Sequence, residues 1–413
     1  MESKEIMELC NHWDYSSWQR GKLTDYWKKA GLSVDNILEN RNRLDKQSTN
    51  IAVLGSVGKS TLVRVLSILL RNKNQSYYVT KVNDNWLPQL PLAVELALRS
   101  NANLCVFECG VASRGDAALM ASVVPADIVV YTEFTEVNLV QLNSLEGIVE
   151  EKTQFVLQHP EAKIISHIAN LEQLQKKGLA CSFYGKEESG AMLMYYVERM
   201  TDKDTIIRIS GKKNFEVKLG DIGIHLGDAC CGAIASYLEI GRELKDREDL
   251  NLSNYRNPRQ RMQSIEQDGI RFIIDTANAN RLSILNSLET LILLDTSMPK
   301  NAVIGGVYGL GDEEGRIIED TIKGICEKNL SEIDTLHFVG NCFLKYQRPL
   351  STLTKRVFFY KSNEDFKISC NFSNYKGQIM LLRGPTKMGV NLSQSLKDYD
   401  SSSEETTPSE LLR

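Results

Sequence analysis

Short apolar runs, closed by glycine or a polar residue, recur along the chain and alternate with stretches whose apolar positions fall three and four residues apart. Ile51-Ala52-Val53-Leu54 is such a run, and 104–107, 127–131 and 162–166 repeat it. Each predicts a buried parallel strand. Leu62, Val65, Leu66, Leu69 and Leu70 predict a helix over 60–70, and 92–99 reads as another. The alternation 205–209 followed by 215–219 predicts an antiparallel hairpin, and a helix near 228–241 closes this half. After the polar, turn-rich stretch 251–258 the strand–helix alternation resumes. Strands are expected at 271–275, 302–306, 335–339 and 378–382, and helices at 282–294 and 315–329. Residues 2–46 carry Trp13, Trp18, Tyr26 and Trp27 among many charges and predict two or three short helices.

Strands alternating with helices indicate an α/β protein with mostly parallel sheets covered on both faces. At 413 residues the chain is too long for one ordinary core. The expected division is a helical N-terminal extension, 1–50; a central domain with a mostly parallel sheet, 51–250; a smaller Rossmann-like α/β domain, 251–395; and a disordered tail, 396–413, rich in Ser, Glu, Thr and Pro.

Composition narrows the class. Hydrophobic residues make up 42% and charged residues 25%, ordinary values for a globular chain. The net charge of −4 gives no basic excess for nucleic acid or an anionic membrane. No stretch reaches the roughly 18 uncharged apolar residues that span a bilayer. The charged start, Met1 to Glu5, lacks the apolar core of a secretory signal. Nine cysteines without paired metal-type spacing read as free thiols in a reducing compartment, so a cytoplasmic location is expected.

The segment with the clearest chemistry follows the first strand. Gly55-Ser56-Val57-Gly58-Lys59-Ser60-Thr61 places two glycines, a lysine and hydroxyls between a strand and a helix. Glycines let backbone N–H groups turn toward phosphate oxygens, and the helix adds the positive end of its dipole. Lys59 is expected on the β- and γ-phosphates, with the hydroxyl of Ser60 or Thr61 offered to Mg²⁺. The usual loop has a glycine five residues before Gly58, where this chain has Val53.

This shorter loop resembles that of the Mur ligase superfamily, which includes the peptidoglycan-precursor ligases and folylpolyglutamate synthase. The similarity continues downstream. Asn83-Asp84-Asn85 followed by Pro91-Leu92 resembles a loop of the branch that adds D-alanyl-D-alanine. Val106-Phe107-Glu108-Cys109-Gly110 is similar to the family's strand ending in Glu-x-Gly, and Ser144 to Lys152 to its lysine-bearing helix. Arg261-Met262-Gln263 resembles the Gly-Arg-Met segment that opens the C-terminal domain. Asp275-Thr276-Ala277-Asn278-Ala279-Asn280 is similar to the nucleotide loop Asp-x-Tyr-Asn-Ala-Asn. Gly309 to Asp312 and Arg383 to Lys387 fall where the family has its later loops.

The resemblance implies an enzyme that uses ATP and Mg²⁺ to phosphorylate a carboxylate, an amine then attacking the acyl phosphate. Gly55 to Thr61 would hold the phosphates, and Ser60 and Glu108 would ligate Mg²⁺. Lys152 matches a lysine that is carbamylated in many members, where it feeds a second metal. Asn83 and Asn85 would position phosphate or acyl groups, Asp275, Asn278 and Asn280 the adenosine, and Arg261 the phosphates as the domains close near 251–258. Lys59, Glu108, Lys152 and Arg261 are thus the expected catalytic set. The plain alternatives are a solvated strand end for Glu108, turn-forming asparagines, and surface positions for Lys152 and Arg261.

Three departures from the family pattern stand out. Asn138 replaces the histidine expected at the second metal. Ala277 and Arg281 replace the nucleotide loop's tyrosine and proline. About fifty residues precede the phosphate loop, too few for the domain that holds a UDP-linked substrate. His225 lies near a histidine–asparagine motif whose asparagine is missing, and is expected to be structural. The expectation is a specialised ligase acting on small-molecule or peptide carboxylates and amines, with room for a protein partner. The competing expectations are a non-catalytic nucleotide-binding scaffold or regulatory subunit, and a general phosphate-loop ATPase or kinase.

Overall fold

In the computed structural model the run at 51–54 extends backward into strand β1, Thr49–Leu54, buried from its second residue on. The structure describes residues 3–12, 22–72, 76–81, 84–187, 190–245, 248–277, 279–307 and 310–385. The expected tail, 396–413, lies outside the described residues. The chain forms two units: Met1–Glu198 with Ile206–Lys218 and His225–Tyr255, and Arg199–Thr205 with Leu219–Ile224 and Arg256–Arg413.

The first sheet also contains β2 (Tyr78–Val79), β3 (Leu104–Glu108), β4 (Ile128–Tyr131), β5 (Lys163–His167), β6 (Ser182–Lys186), β7 (Leu193–Met200), β8 (Thr205–Gly211), β9 (Phe215–Leu219) and β10 (Glu248–Leu252). Their order is β10-β9-β8-β7-β6-β5-β4-β1-β3-β2. Pairing is parallel from β2 through β7. The link 212–214 between β8 and β9 is too short for a crossover, so these neighbours form the expected antiparallel hairpin. β10 corrects the reading of 251–258 as connector throughout: Leu250 and Leu252 alternate inward around Asn251 at the sheet's far edge. A polar edge strand carries too little apolar signal to stand out.

The helices ahead of the sheet are α1 (Ser3–His12), α2 (Lys22–Lys29) and α3 (Val34–Gln47). Their Ile6, Leu23, Trp27, Ile37 and Leu44 share one core with Leu54 of β1 and Phe107 of β3. Trp27 Nε1 donates to the Pro88 carbonyl at 3.1 Å, so this indole is fixed at both its apolar and polar ends. After β1 come α4 (Lys59–Asn72), α5 (Leu90–Ser100), α6 (Asp116–Val123), α7 (Leu139–Leu142), α8 (Leu145–Leu157), α9 (Leu171–Lys176) and α10 (His225–Glu239).

The second unit has strands β11 (Gln263–Gln267), β12 (Ile270–Asp275), β13 (Lys300–Gly305), β14 (Ile333–Val339), β15 (Arg356–Tyr360) and β16 (Ile379–Arg383). Their order is β11-β12-β16-β13-β14-β15. Only β11 with β12 is antiparallel among the pairings in this sheet. Helices α11 (Arg281–Leu293) and α12 (Glu314–Cys326) connect the parallel strands. The last strand, β16, returns between β12 and β13, and brings the carboxyl ends of β12 and β16 side by side. In parallel sheets such ends gather binding residues.

Candidate active site

The seven-residue loop turns directly from β1 into α4. Gly55 has φ 139°, and a Cβ there would sit 1.9 Å from Thr132 Oγ1. Only glycine fits between the loop and the segment after β4. Ser56 is tied to that segment twice, its N–H donating to the Glu133 carbonyl and its Oγ to the Thr135 carbonyl, both at 3.0 Å. Gly58, at φ 82°, then turns the chain into the helix. Lys59 Nζ folds back over the loop and donates to the Gly55 carbonyl at 3.0 Å. Among the described residues no protein acceptor takes the N–H of Val57, Gly58 or Ser60. These amides, the lysine and the start of α4 form a cradle of positive character suited to phosphate.

Glu108 ends β3 and is 2% exposed. Its Oε1 accepts from Ser60 Oγ at 2.9 Å and from Asn85 Nδ2 at 2.5 Å. Parallel pairing of β1 with β3 places Glu108 opposite Val53, one turn of chain from the loop. Asn85 therefore orients the carboxylate, and its carbonyl accepts the Gly110 N–H at 2.5 Å. Asn83 lies outside the described residues.

Lys152 points inward from α8 and is 1% exposed. Nζ donates to the Val111 carbonyl at 3.2 Å. Burial, with the nearby Lys59 charge, lowers its pKa to about 7, although Asp116 and Glu151 pull the other way. Glu151 accepts the N–H groups of Gly115 and Ala117 at 3.0 and 2.9 Å, and Asp116 those of Ala112 and Ser113 at 2.9 and 2.8 Å. They hold the backbone around Lys152 and act on its amine as nearby negative charges.

In the second unit, Asp275 ends β12 and Asn280 caps α11. Asn280 Oδ1 accepts the Ser283 N–H at 2.9 Å while Ser283 Oγ accepts the Asn280 N–H at 3.0 Å, a reciprocal capping box. Asn280 is thereby committed to shaping the loop. Asn278 lies outside the described residues. Arg261 sits between two left-handed residues, Gln260 at φ 59° and Met262 at φ 54°. The Gln260 carbonyl accepts the N–H groups of Thr276 and Ala277 at 2.9 and 3.0 Å, which ties the arginine's turn to the loop after β12.

Residues 53–236 match the Mur ligase middle domain, the stretch that carries the loop, Glu108 and Lys152. The chain is 26% identical over 92% of its length to UDP-N-acetylmuramoyl-tripeptide–D-alanyl-D-alanine ligase of Bacillus subtilis, covering 83% of that protein. The chain resembles the Mur ligase superfamily. Its fold is similar to that of MurF from Acinetobacter baumannii, at TM-score 0.72 and 19% identity, over 88% of this chain and 79% of that one. The MurF ligase of Thermotoga maritima in complex with ADP is similar at TM-score 0.69 and 21% identity, over 88% and 83%.

Ser60 Oγ and Glu108 Oε1 lie 2.9 Å apart at the head of α4, and both are hard oxygen ligands of the kind Mg²⁺ takes. A second cation is not matched in the same way. Asn138 is exposed and left-handed, φ 56°, and its carbonyl receives the Gln141 and Leu142 amides that open α7. Among the described residues no group of three or more His, Cys, Asp and Glu is placed to hold a metal. Residue reasoning missed a polar cluster beside the loop. His167 Nε2 lies 3.0 Å from Asp228 Oδ1, with Glu133 also nearby. Burial alone would lower the His167 pKa, but Asp228 more than offsets this and raises it. His225 opens α10, three residues before Asp228. The pair joins residues 61 positions apart, which no local motif reveals.

Proposed function

We propose that this chain is a Mur ligase that uses ATP to join a carboxylate to an amine through an acyl phosphate. The observation that carries the reading is the buried Ser60–Glu108 contact at the base of a lysine-capped phosphate loop. Val57, Gly58 and Ser60 amides receive phosphate oxygens, and Lys59 leaves its loop carbonyls to face the β- and γ-phosphates. Bound Mg²⁺, held by Ser60 and Glu108, supplies positive charge to the triphosphate. The substrate carboxylate oxygen takes the γ-phosphoryl group and ADP departs. The amine nitrogen then forms a bond to the acyl carbon, the phosphate leaves, and the nitrogen loses a proton.

Lys152 is assigned as a cation that offsets charge developing on the transferred phosphoryl group. In the second unit, Asp275 is assigned to the ribose of a bound nucleotide. A bare scaffold role gives no reason to bury Glu108 and Lys152 in the segment that carries the phosphate loop. The B. subtilis relative is named for a UDP-muramoyl tripeptide and D-alanyl-D-alanine, so a peptide acid and a D-alanyl dipeptide are the first substrates to try. Free thiols at all nine cysteines suit a cytoplasmic setting. No described helix is long and apolar enough to cross a membrane.

Purified protein with ATP, Mg²⁺ and paired panels of acids and amines is expected to release ADP and phosphate together with an amide. Glu108→Gln should lower turnover by about 100-fold or more and raise the Mg²⁺ concentration needed for half-maximal rate. Full activity of that variant at unchanged Mg²⁺ demand would remove Glu108 from the site.

A further inference from the structure

The side chain that organises the loop after β12 is Arg383, which closes β16 and is 1% exposed. Its Nη1 donates to the Asp275 carbonyl at 2.5 Å and lies 3.1 Å from Asp275 Oδ2. Its Nη2 donates to Ser283 Oγ, the hydroxyl that also completes the cap with Asn280. One planar guanidinium therefore ties together the end of β12, the end of β16 and the first turn of α11. Ser287, on the next turn of α11, shares its one Oγ hydrogen between the same Asp275 Oδ2 at 2.6 Å and the Ser283 carbonyl at 2.7 Å. The Arg383 ion pair and the Ser287 hydroxyl thus both fall on Oδ2. Oδ1 accepts from no donor among the described residues, and the Asp275 side chain keeps 14% exposure. A carboxylate locked through one oxygen presents the other in a fixed direction.

We propose that Arg383 is a positioning residue that, with Ser287, turns Asp275 Oδ1 toward a ribose hydroxyl and so sets the preference for ribonucleotides over deoxyribonucleotides. This rests on the assignment of ATP as substrate. A hydroxyl donating to an ionised carboxylate is among the stronger hydrogen bonds, and its loss costs about 10- to 100-fold in affinity. That gain depends on the carboxylate being held before the ligand arrives. Lysine at 383 would keep the charge but not the fork, and cannot reach Asp275 and Ser283 together.

The test is equilibrium binding of ATP, 2′-deoxy-ATP, 3′-deoxy-ATP and inorganic tripolyphosphate to the full chain and to Asp275→Ala, Arg383→Lys and Ser287→Ala, with thermal unfolding recorded for each. The full chain is expected to prefer ATP to at least one deoxy analogue by about 10-fold or more. Asp275→Ala and Arg383→Lys should abolish that preference and Ser287→Ala should reduce it several-fold, with tripolyphosphate binding unchanged in all three. If Arg383→Lys does not fold, Ser287→Ala carries the test, because alanine suits a helix interior. Asp275→Ala losing the preference while Arg383→Lys and Ser287→Ala retain it in full would overturn the positioning role. A full chain that binds ATP without preferring it to either analogue would overturn it too. A full chain that binds no ATP would instead overturn the ATP assignment itself.

Discussion

Lys152 carries the clearest single-residue cost in the molecule. Its folded pKa of about 7 lies below the ordinary 10.5, so between those values the unfolded chain binds a proton that the folded chain does not. Stability arising from this group therefore rises with pH from about 7 to 10.5, and the penalty for burying the amine is largest at and below pH 7. Lys152→Met should raise the melting temperature most near pH 7, with the gain gone by about pH 10.5, while turnover falls by about 100-fold or more. Thermal melts across that range check the first part; a gain that grew with pH would contradict it. Lys59→Ala is expected to weaken nucleotide binding by about 100-fold or more, readable by calorimetry. Lys59 was legible from the strand, loop and helix around it, and Glu108 and Lys152 from the resemblance of their segments to family motifs. Asn280's capping role and the Arg383–Asp275 pair were not. The first looked like a ligand contact in a motif, and the second joins residues 108 positions apart.

At the scale of elements, the phosphate loop is a strand-to-helix turn whose two glycines have different jobs. Gly55 has no room for a Cβ and has left-handed backbone, whereas Gly58 has the backbone requirement and open space around it. Gly55→Ala should therefore be the more damaging, by more than about 2 kcal/mol, and Gly58→Ala should cost about 1–2 kcal/mol. Urea unfolding of the two variants measures the difference, and equal losses would mean that the Thr132 contact is easily relieved. The apolar runs located β1, β3, β4, β5, β12, β13, β14 and β16 because each is buried on both faces. β6 and β7 escaped because Ser182–Lys186 and Leu193–Met200 mix glycine, charge and aromatic residues without a clean period. Their place is set by neighbouring strands rather than by their own pattern.

At the scale of the whole molecule, each unit builds its own core and its own candidate surface. In the first, α1–α3 share the core beneath the phosphate loop's sheet. Truncating the buried Trp27 to alanine should destabilise the first unit by about 3–5 kcal/mol, measurable as an earlier unfolding transition. An unchanged transition would mean that these helices are not needed by the core. In the second unit, the return of β16 between β12 and β13 gives Arg383 its reach to Asp275, a consequence of strand order that no segment displays alone.

The central claim is that ATP activates a carboxylate as an acyl phosphate, and an isotope experiment tests it most directly. Peptide acids labelled with ¹⁸O in the carboxylate, a UDP-muramoyl tripeptide first among them, would be incubated with ATP, Mg²⁺ and D-alanyl-D-alanine, and the released phosphate analysed by mass spectrometry. One ¹⁸O atom in each phosphate, formed together with ADP and an amide, is the predicted result. Amide formation with unlabelled phosphate, or with AMP and pyrophosphate, would contradict it.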